Sequence, residues 1–99
     1  MLTIMQKITN INHMTKLKIL SASHDCGIND GGISDMTNLE ILYANSNTKI
    51  TNVNHMTKLR ELHACGSLCG INDKGIINLK KMKILDTNNN TKITKHITK

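Results

Sequence analysis

The chain has no proline, phenylalanine or tryptophan, and a single tyrosine, Tyr43. No apolar run approaches the ~20 residues needed to cross a bilayer, which excludes integral membrane topology. Residues 1–8 cannot supply the apolar stretch of roughly 7–15 residues that a secretory signal needs. Three cysteines, an odd number, cannot all pair internally, which favours free thiols in a reducing, cytoplasmic compartment. Acidic residues are few: seven against thirteen basic ones, for a net charge of +6, with five histidines that add positive charge only below neutrality. In place of what is missing, Ile, Asn and Lys occur 14, 13 and 12 times in the 99 residues. All three are encoded by A/T-rich codons, so this bias need not reflect function. Length and composition predict one small, basic, soluble domain, or a piece of a larger one.

The chain repeats itself. Ile8-Thr9-Asn10-Ile11-Asn12-His13-Met14-Thr15-Lys16-Leu17 returns as Ile50-Thr51-Asn52-Val53-Asn54-His55-Met56-Thr57-Lys58-Leu59. Cys26-Gly27-Ile28-Asn29-Asp30 returns as Cys69-Gly70-Ile71-Asn72-Asp73, and Asn47-Thr48-Lys49-Ile50-Thr51 as Asn90-Thr91-Lys92-Ile93-Thr94. Each long period of 42 or 43 residues splits into two related halves. Leu17-x-x-Leu20-x-Ala22, Leu39-x-x-Leu42-x-Ala44, Leu59-x-x-Leu62-x-Ala64 and Met82-x-x-Leu85-x-Thr87 recur at spacings of 22, 20 and 23. Further apolar residues follow roughly at threes: Ile50, Val53, Met56, Leu59 in one half, and Ile28, Ile33, Met36, Leu39 or Ile71, Ile76, Leu79, Met82 in the other. Neither a sustained helical period nor simple alternation describes this pattern.

A coil of ~20–23 residues with five or six apolar side chains cannot bury them alone; stacked on copies of itself it forms a continuous core. The Leu-x-x-Leu-x-Ala pieces predict one strand per coil, near 18–22, 40–44, 60–64 and 83–87, pairing in parallel about 4.8 Å apart with Leu42 and Ala44 inward. These residues resemble a leucine-rich repeat, whose Leu-x-x-Leu-x-Leu-x-x-Asn pattern is met with Ala or Thr at the third apolar position. Asn47 and Asn90 fall in the asparagine slot, with Asp25 and Ser67 there in the other halves. The segments opening at Cys26 and Cys69 are similar to the cysteine-containing repeats of F-box substrate receptors. Those opening at Asn47 resemble the shorter repeats of bacterial internalins. The resemblance implies an α/β solenoid, a short horseshoe with a parallel concave sheet and helical or 3-10 turns on the convex side. It spans residues 7–99 and implies partner binding in general rather than one partner.

The ends show no capping helix and no polar outer coil. Residues 1–6 align with the tail of a strand, and His96 to Lys99 align with the segment that begins at His55. Solenoids need polar caps, so the expectation is a fragment of a longer array, or ends covered by a partner or by self-association. Thr87 and the Asn88-Asn89-Asn90 run offer an alternative polar cap.

Strand residues that alternate with the core positions point to the concave face. One row is Ile19, Ile41, Glu61, Ile84; the next is Ser21, Tyr43, His63, Asp86; a third is Ser23, Asn45, Cys65, Asn88, with His24, Ser46, Gly66 and Asn89 at its margin. Solvent-facing positions drift without function, yet the lone tyrosine lands mid-face, where tyrosine is over-represented among binding hot spots. Three isoleucines beside it predict an apolar stripe of a kind that monomers rarely leave bare. A protein partner on this face is the expected function.

Chemistry is weaker. Ser21, His63 and Asp86 share a row, but Tyr43 separates Ser21 from His63 by ~10 Å at the strand spacing, no Gly-x-Ser-x-Gly is present, and no enzyme is predicted. His63, Cys65 and Cys69, with His24 and Cys26, have zinc-ligand residue types without paired Cys-x-x-Cys spacing; neither metal nor cofactor is predicted. Cys26 and Cys69 are expected as buried thiols, and Cys65, in the third row, as the best candidate for a reactive one. His13, His55 and His96 share a repeat slot and need no chemistry. The glycines of residues 27–32 lack the Lys-Ser/Thr of a phosphate loop; they are expected to turn the chain, with Asp30 or Asp73 capping a short helical turn. Lys7, Lys16, Lys49, Lys58 and Lys92 lie at outer positions and Lys18, Arg60 and Lys83 flank the strands, while the face rows hold no Lys or Arg. A nucleic-acid contact would be weak, salt-sensitive and nonspecific. Asn89-Asn90-Thr91 is a glycosylation sequon, idle without a secretory signal.

Overall fold

A computed structural model describes residues 2–4, 8–24 and 26–94. Expectations placed on Met1, Met5, Gln6, Lys7, Asp25, His96 and the rest of 95–99 lie outside the described residues. Five strands form one all-parallel sheet in chain order: β1 (Leu2–Thr3), β2 (Ile19–Ser21), β3 (Ile41–Tyr43), β4 (Glu61–His63) and β5 (Ile84–Asp86). The last four fall inside the four segments marked by the repeat, and β1 adds a fifth where the sequence aligned with a strand's tail. No helix among the described residues is long and apolar enough to cross a membrane.

Register follows from the repeated leucine. Leu20 pairs with Leu42, Leu42 with Leu62 and Leu62 with Leu85, while Leu2 pairs with Leu20, so one column of leucines runs across the sheet. Leu20, Leu42 and Leu62 are fully buried; Leu2 and Leu85, on the edge strands, are partly so. Ala22, Ala44 and Ala64 are buried two residues on. Backbone pairing outlasts the strands: Ala22, Ala44 and Ala64 donate to the carbonyls of Tyr43, His63 and Asp86, and His24, Ser46 and Gly66 to those of Asn45, Cys65 and Asn88. The extended run then stops at left-handed residues, His24 (φ 60°), Ser46 (57°), Gly66 (101°) and Asn89 (65°). Asn88-Asn89-Asn90 thus makes the turn that residues 45–47 make, with the Asn90 amide on the Thr87 carbonyl as the Asn47 amide is on Ala44.

The returning segments bring the apolar residues spaced by threes into the same core. Ile28, Ile33, Met36, Leu39, Ile50, Val53, Met56, Leu59, Ile71, Ile76, Leu79 and Met82 are all buried in one cluster with the strand leucines. The two cysteine-type segments carry 3-10 turns, Gly31–Ile33 and Asp73–Ile76. Their caps differ from expectation. Asn29 and Asn72, not the aspartates, accept from the Gly32 and Gly75 amides. Asp30 instead reaches to the next coil and takes the Thr51 and Asn52 amides and the Thr51 hydroxyl; Asp73 does the same with Thr94. The glycines also divide their work. Gly27 (φ 93°) turns the chain, but Gly32 and Gly75 are needed for close approach: a Cβ there would overlap the carbonyl oxygens of Thr9 and Thr51. That approach lets the Gly32 and Gly75 carbonyls accept from Ile11 and Val53 at 3.0 and 2.9 Å.

Two asparagines bind the coils from inside. Asn47, 1% exposed, donates to the Ala22 carbonyl at 2.7 Å and the Ile28 carbonyl at 3.2 Å, while its oxygen accepts from the Lys49 and Ile50 amides. Asn90 does the same with Ala64, Ile71 and Lys92. Among the described residues no buried side-chain nitrogen or oxygen lacks a partner. Ser67, in the equivalent slot, is exposed.

Candidate functional site

The face opposite the leucine column carries the rows read from the sequence. Pairing sets Ile19, Ile41, Glu61 and Ile84 side by side, and likewise Ser21, Tyr43, His63 and Asp86. A polar chain joins the third row: the Asn45 amide donates to Ser23 Oγ at 3.2 Å and the Cys65 amide to Asn45 Oδ1 at 2.8 Å, with Asn88 beyond. The isoleucine stripe is not continuous. Glu61 stands between Ile41 and Ile84, Ile19 and Ile41 are half-buried, and of the three only Ile84, at 49%, is well exposed.

Tyr43 and His63 form the centre. Their rings stack at 4.4 Å between centroids and 9° between planes. Strand spacing of about 4.8 Å brings neighbouring side chains close enough for this contact, which is specified by register. His63 Nε2 lies 2.7 Å from Glu61 Oε2, and its Nδ1 lies 3.6 Å from Asp86 Oδ2. Tyr43, Glu61 and Asp86 therefore face the imidazole from three strands. The Asp86 carboxyl is held below the usual aspartate range, first by the neighbouring Cys65 thiol; burial, the next effect in size, opposes this, and the Asn88 backbone and His63 add to the lowering.

Outside the first row, Lys18, Glu40, Arg60 and Lys83 continue the margin. Glu40 lies 3.4 Å from both Lys18 and Arg60, and Lys18 ahead of Arg60 lowers its carboxyl pKa. Glu40 occupies the same repeat slot as the flanking bases, and its opposite charge there is the one sign in the sequence of this pairing.

Ser21 is two strands from His63 with Tyr43 between them, so the row sets His63 beside Asp86 and keeps Ser21 apart from both. His55 is tied to structure: its Nε2 is 2.8 Å from the Ile33 carbonyl oxygen of the preceding coil. Cys26 and Cys69 are buried and free, and Cys65 is half-buried. The Cys65 thiol donates to the Asp86 carbonyl at 3.5 Å, and burial, then Asp86, raises its pKa. Cys65 is thus the most accessible of the three thiols, while the thiolate that would react is disfavoured. At pH 7.5 Cys65 should alkylate more slowly than a free cysteine, yet faster than Cys26 and Cys69, as mass spectrometry of iodoacetamide time courses would show. Among the described residues no group of three His, Cys, Asp or Glu is arranged to hold a metal ion.

Comparison with protein-family models, with curated proteins and with solved structures finds no match for this chain.

Proposed function

We propose that the chain is a leucine-rich-repeat solenoid whose concave sheet face binds a protein partner. It does so in the cytoplasm, without cofactor and without a reaction of its own. Five parallel strands in chain order, with one leucine column behind them, support the solenoid. The observation that carries the function is the Tyr43–His63 stack in mid-sheet, bordered by Ile41 and Glu61. A stacked, partly exposed aromatic is pre-organised and presents a large contact area at little entropic cost, which is how hot spots work. Lys18, Arg60 and Lys83 lie in the row outside this face and its rows hold no Lys or Arg, which favours a protein over a nucleic acid. The likeness of the segments opening at Cys26 and Cys69 to ubiquitin-ligase receptors makes substrate recognition within an adaptor the specific form of this reading.

Affinity capture with the wild type and with a Tyr43→Ala, Glu61→Lys double variant identifies face-dependent partners. Against such a partner, Tyr43→Ala or Ile41→Ala alone should cost about 2 kcal/mol, roughly 30-fold in Kd. Both variants should stay folded, with a stability loss no larger than partial burial of one side chain implies, about 1–2 kcal/mol. A captured partner whose titrated affinity ignores both substitutions would retire the proposal.

A further inference from the structure

Charge is sorted across this molecule. The chain carries thirteen bases and seven acids, yet the three face rows hold two formal charges, both carboxylates, Glu61 and Asp86. They flank His63 at one end of the sheet. Lys18, Arg60 and Lys83 lie in the row outside, where Lys18 and Arg60 are drawn to Glu40. We infer that the segment this face takes is an extended stretch of a partner protein with an arginine over Glu61, His63 and Asp86, and an aliphatic residue beside it against Ile84. The inference rests on the sheet-face reading above and names the chemistry of its partner.

The geometry suits a guanidinium. Glu61 stands in register between Ile41 and Ile84, so its carboxylate sits on an aliphatic shelf that the methylene stem of an arginine can cover. The Glu61 and Asp86 side chains keep 18% and 39% of their surface open. A carboxylate offers about four lone-pair directions, and one imidazole nitrogen faces each, which leaves acceptor capacity for the several donors of a guanidinium. The imidazole aims its two nitrogens at different carboxylates, so the three groups do not converge on one point as ligands of a metal ion would.

The test is selection of random twelve-residue peptides displayed on phage, panned in parallel on three folded proteins: wild type, Glu61→Lys with Asp86→Lys, and Tyr43→Ala. Wild type should enrich arginine (lysine less strongly) next to Ile, Leu or Val. Synthetic copies should bind the charge-reversed variant at least ten-fold more weakly and lose affinity as salt rises. The charge-reversed variant should enrich Asp and Glu instead. Should that variant not fold, Glu61→Gln with Asp86→Asn serves, and is expected to abolish the arginine preference. Peptides that need Tyr43 but carry no cation would overturn the arginine and leave the binding face standing. Peptides indifferent to all the substitutions, or no enrichment at all, would overturn both.

Discussion

Replacing Asn47 with leucine should destabilise the chain by about 3–5 kcal/mol, although the two side chains branch alike and have the same number of heavy atoms. Asn47 is 1% exposed and its amide serves two carbonyls, of Ala22 and Ile28, that lie in the preceding coil. Its oxygen serves two amides of its own turn, of Lys49 and Ile50. Leucine supplies none of these bonds, and each buried polar group left without a partner costs about 1–3 kcal/mol. The Lys49 amide can turn to water because that residue is exposed, so the estimate counts three groups rather than four. Asn47→Asp separates the two functions of the amide. The carboxylate keeps the acceptor, loses both donors and brings a buried charge toward two carbonyl oxygens. Its folded-state pKa should therefore be raised, so its penalty relative to wild type should grow as pH rises above the ordinary aspartate value of about 4 and shrink below it. Urea unfolding at pH 3.5 and pH 7 checks both substitutions. A loss under 1 kcal/mol for the leucine variant would mean that the asparagine does not join the coils.

The parts of this architecture that were legible in the sequence are those set by residues recurring in the same slot. Four copies of Leu-x-x-Leu-x-Ala or its variant placed β2 to β5, and their alignment alone set Tyr43 beside His63 and Glu61 beside Ile84. What the pattern could not supply is which neighbour a polar side chain serves. Asn29 and Asp30 are both good helix caps by residue type; only coordinates show that the asparagine turns back to Gly32 while the aspartate crosses to Thr51. A faint signal existed, because Asp30–Thr51 and Asp73–Thr94 share one separation of 21 residues. The role of Gly32 was hidden for a similar reason, since what forbids a side chain there is the Thr9 carbonyl of another coil. On the sheet face the rows were right and the stripe was not. Ile19 and Ile41 are half-buried on inner strands, and Ile84 stays open on the edge strand. Cys65 shows the same limit: its slot is on the face, but its thiol pKa is raised first by burial and then by Asp86 of the next repeat.

Leu42→Ala and Leu85→Ala remove the same atoms from the same column and should not cost the same. Leu42 is fully buried, with Leu20 and Leu62 in register on either side, each fully buried as well. A cavity there is walled on both sides by side chains that are themselves held, so it cannot collapse. The loss should lie in the upper part of the 2–5 kcal/mol range, about 4 kcal/mol. Leu85 is partly buried on the edge strand β5, with no described strand beyond it. Some of its surface already meets water and its surroundings can close over a smaller residue, so about 1–2 kcal/mol is expected, in line with partial burial of one aliphatic side chain. Urea unfolding of the two variants, with unchanged m-values, measures the difference. Equal losses would mean that the leucines do not form a graded column ending at β5. The same pair bears on function, because Leu42 lies between Ile41 and Tyr43 on β3. Under conditions where Leu42→Ala remains folded, it should bind a face-dependent partner nearly as wild type does, since its side chain anchors the strand from behind and touches nothing on the binding side.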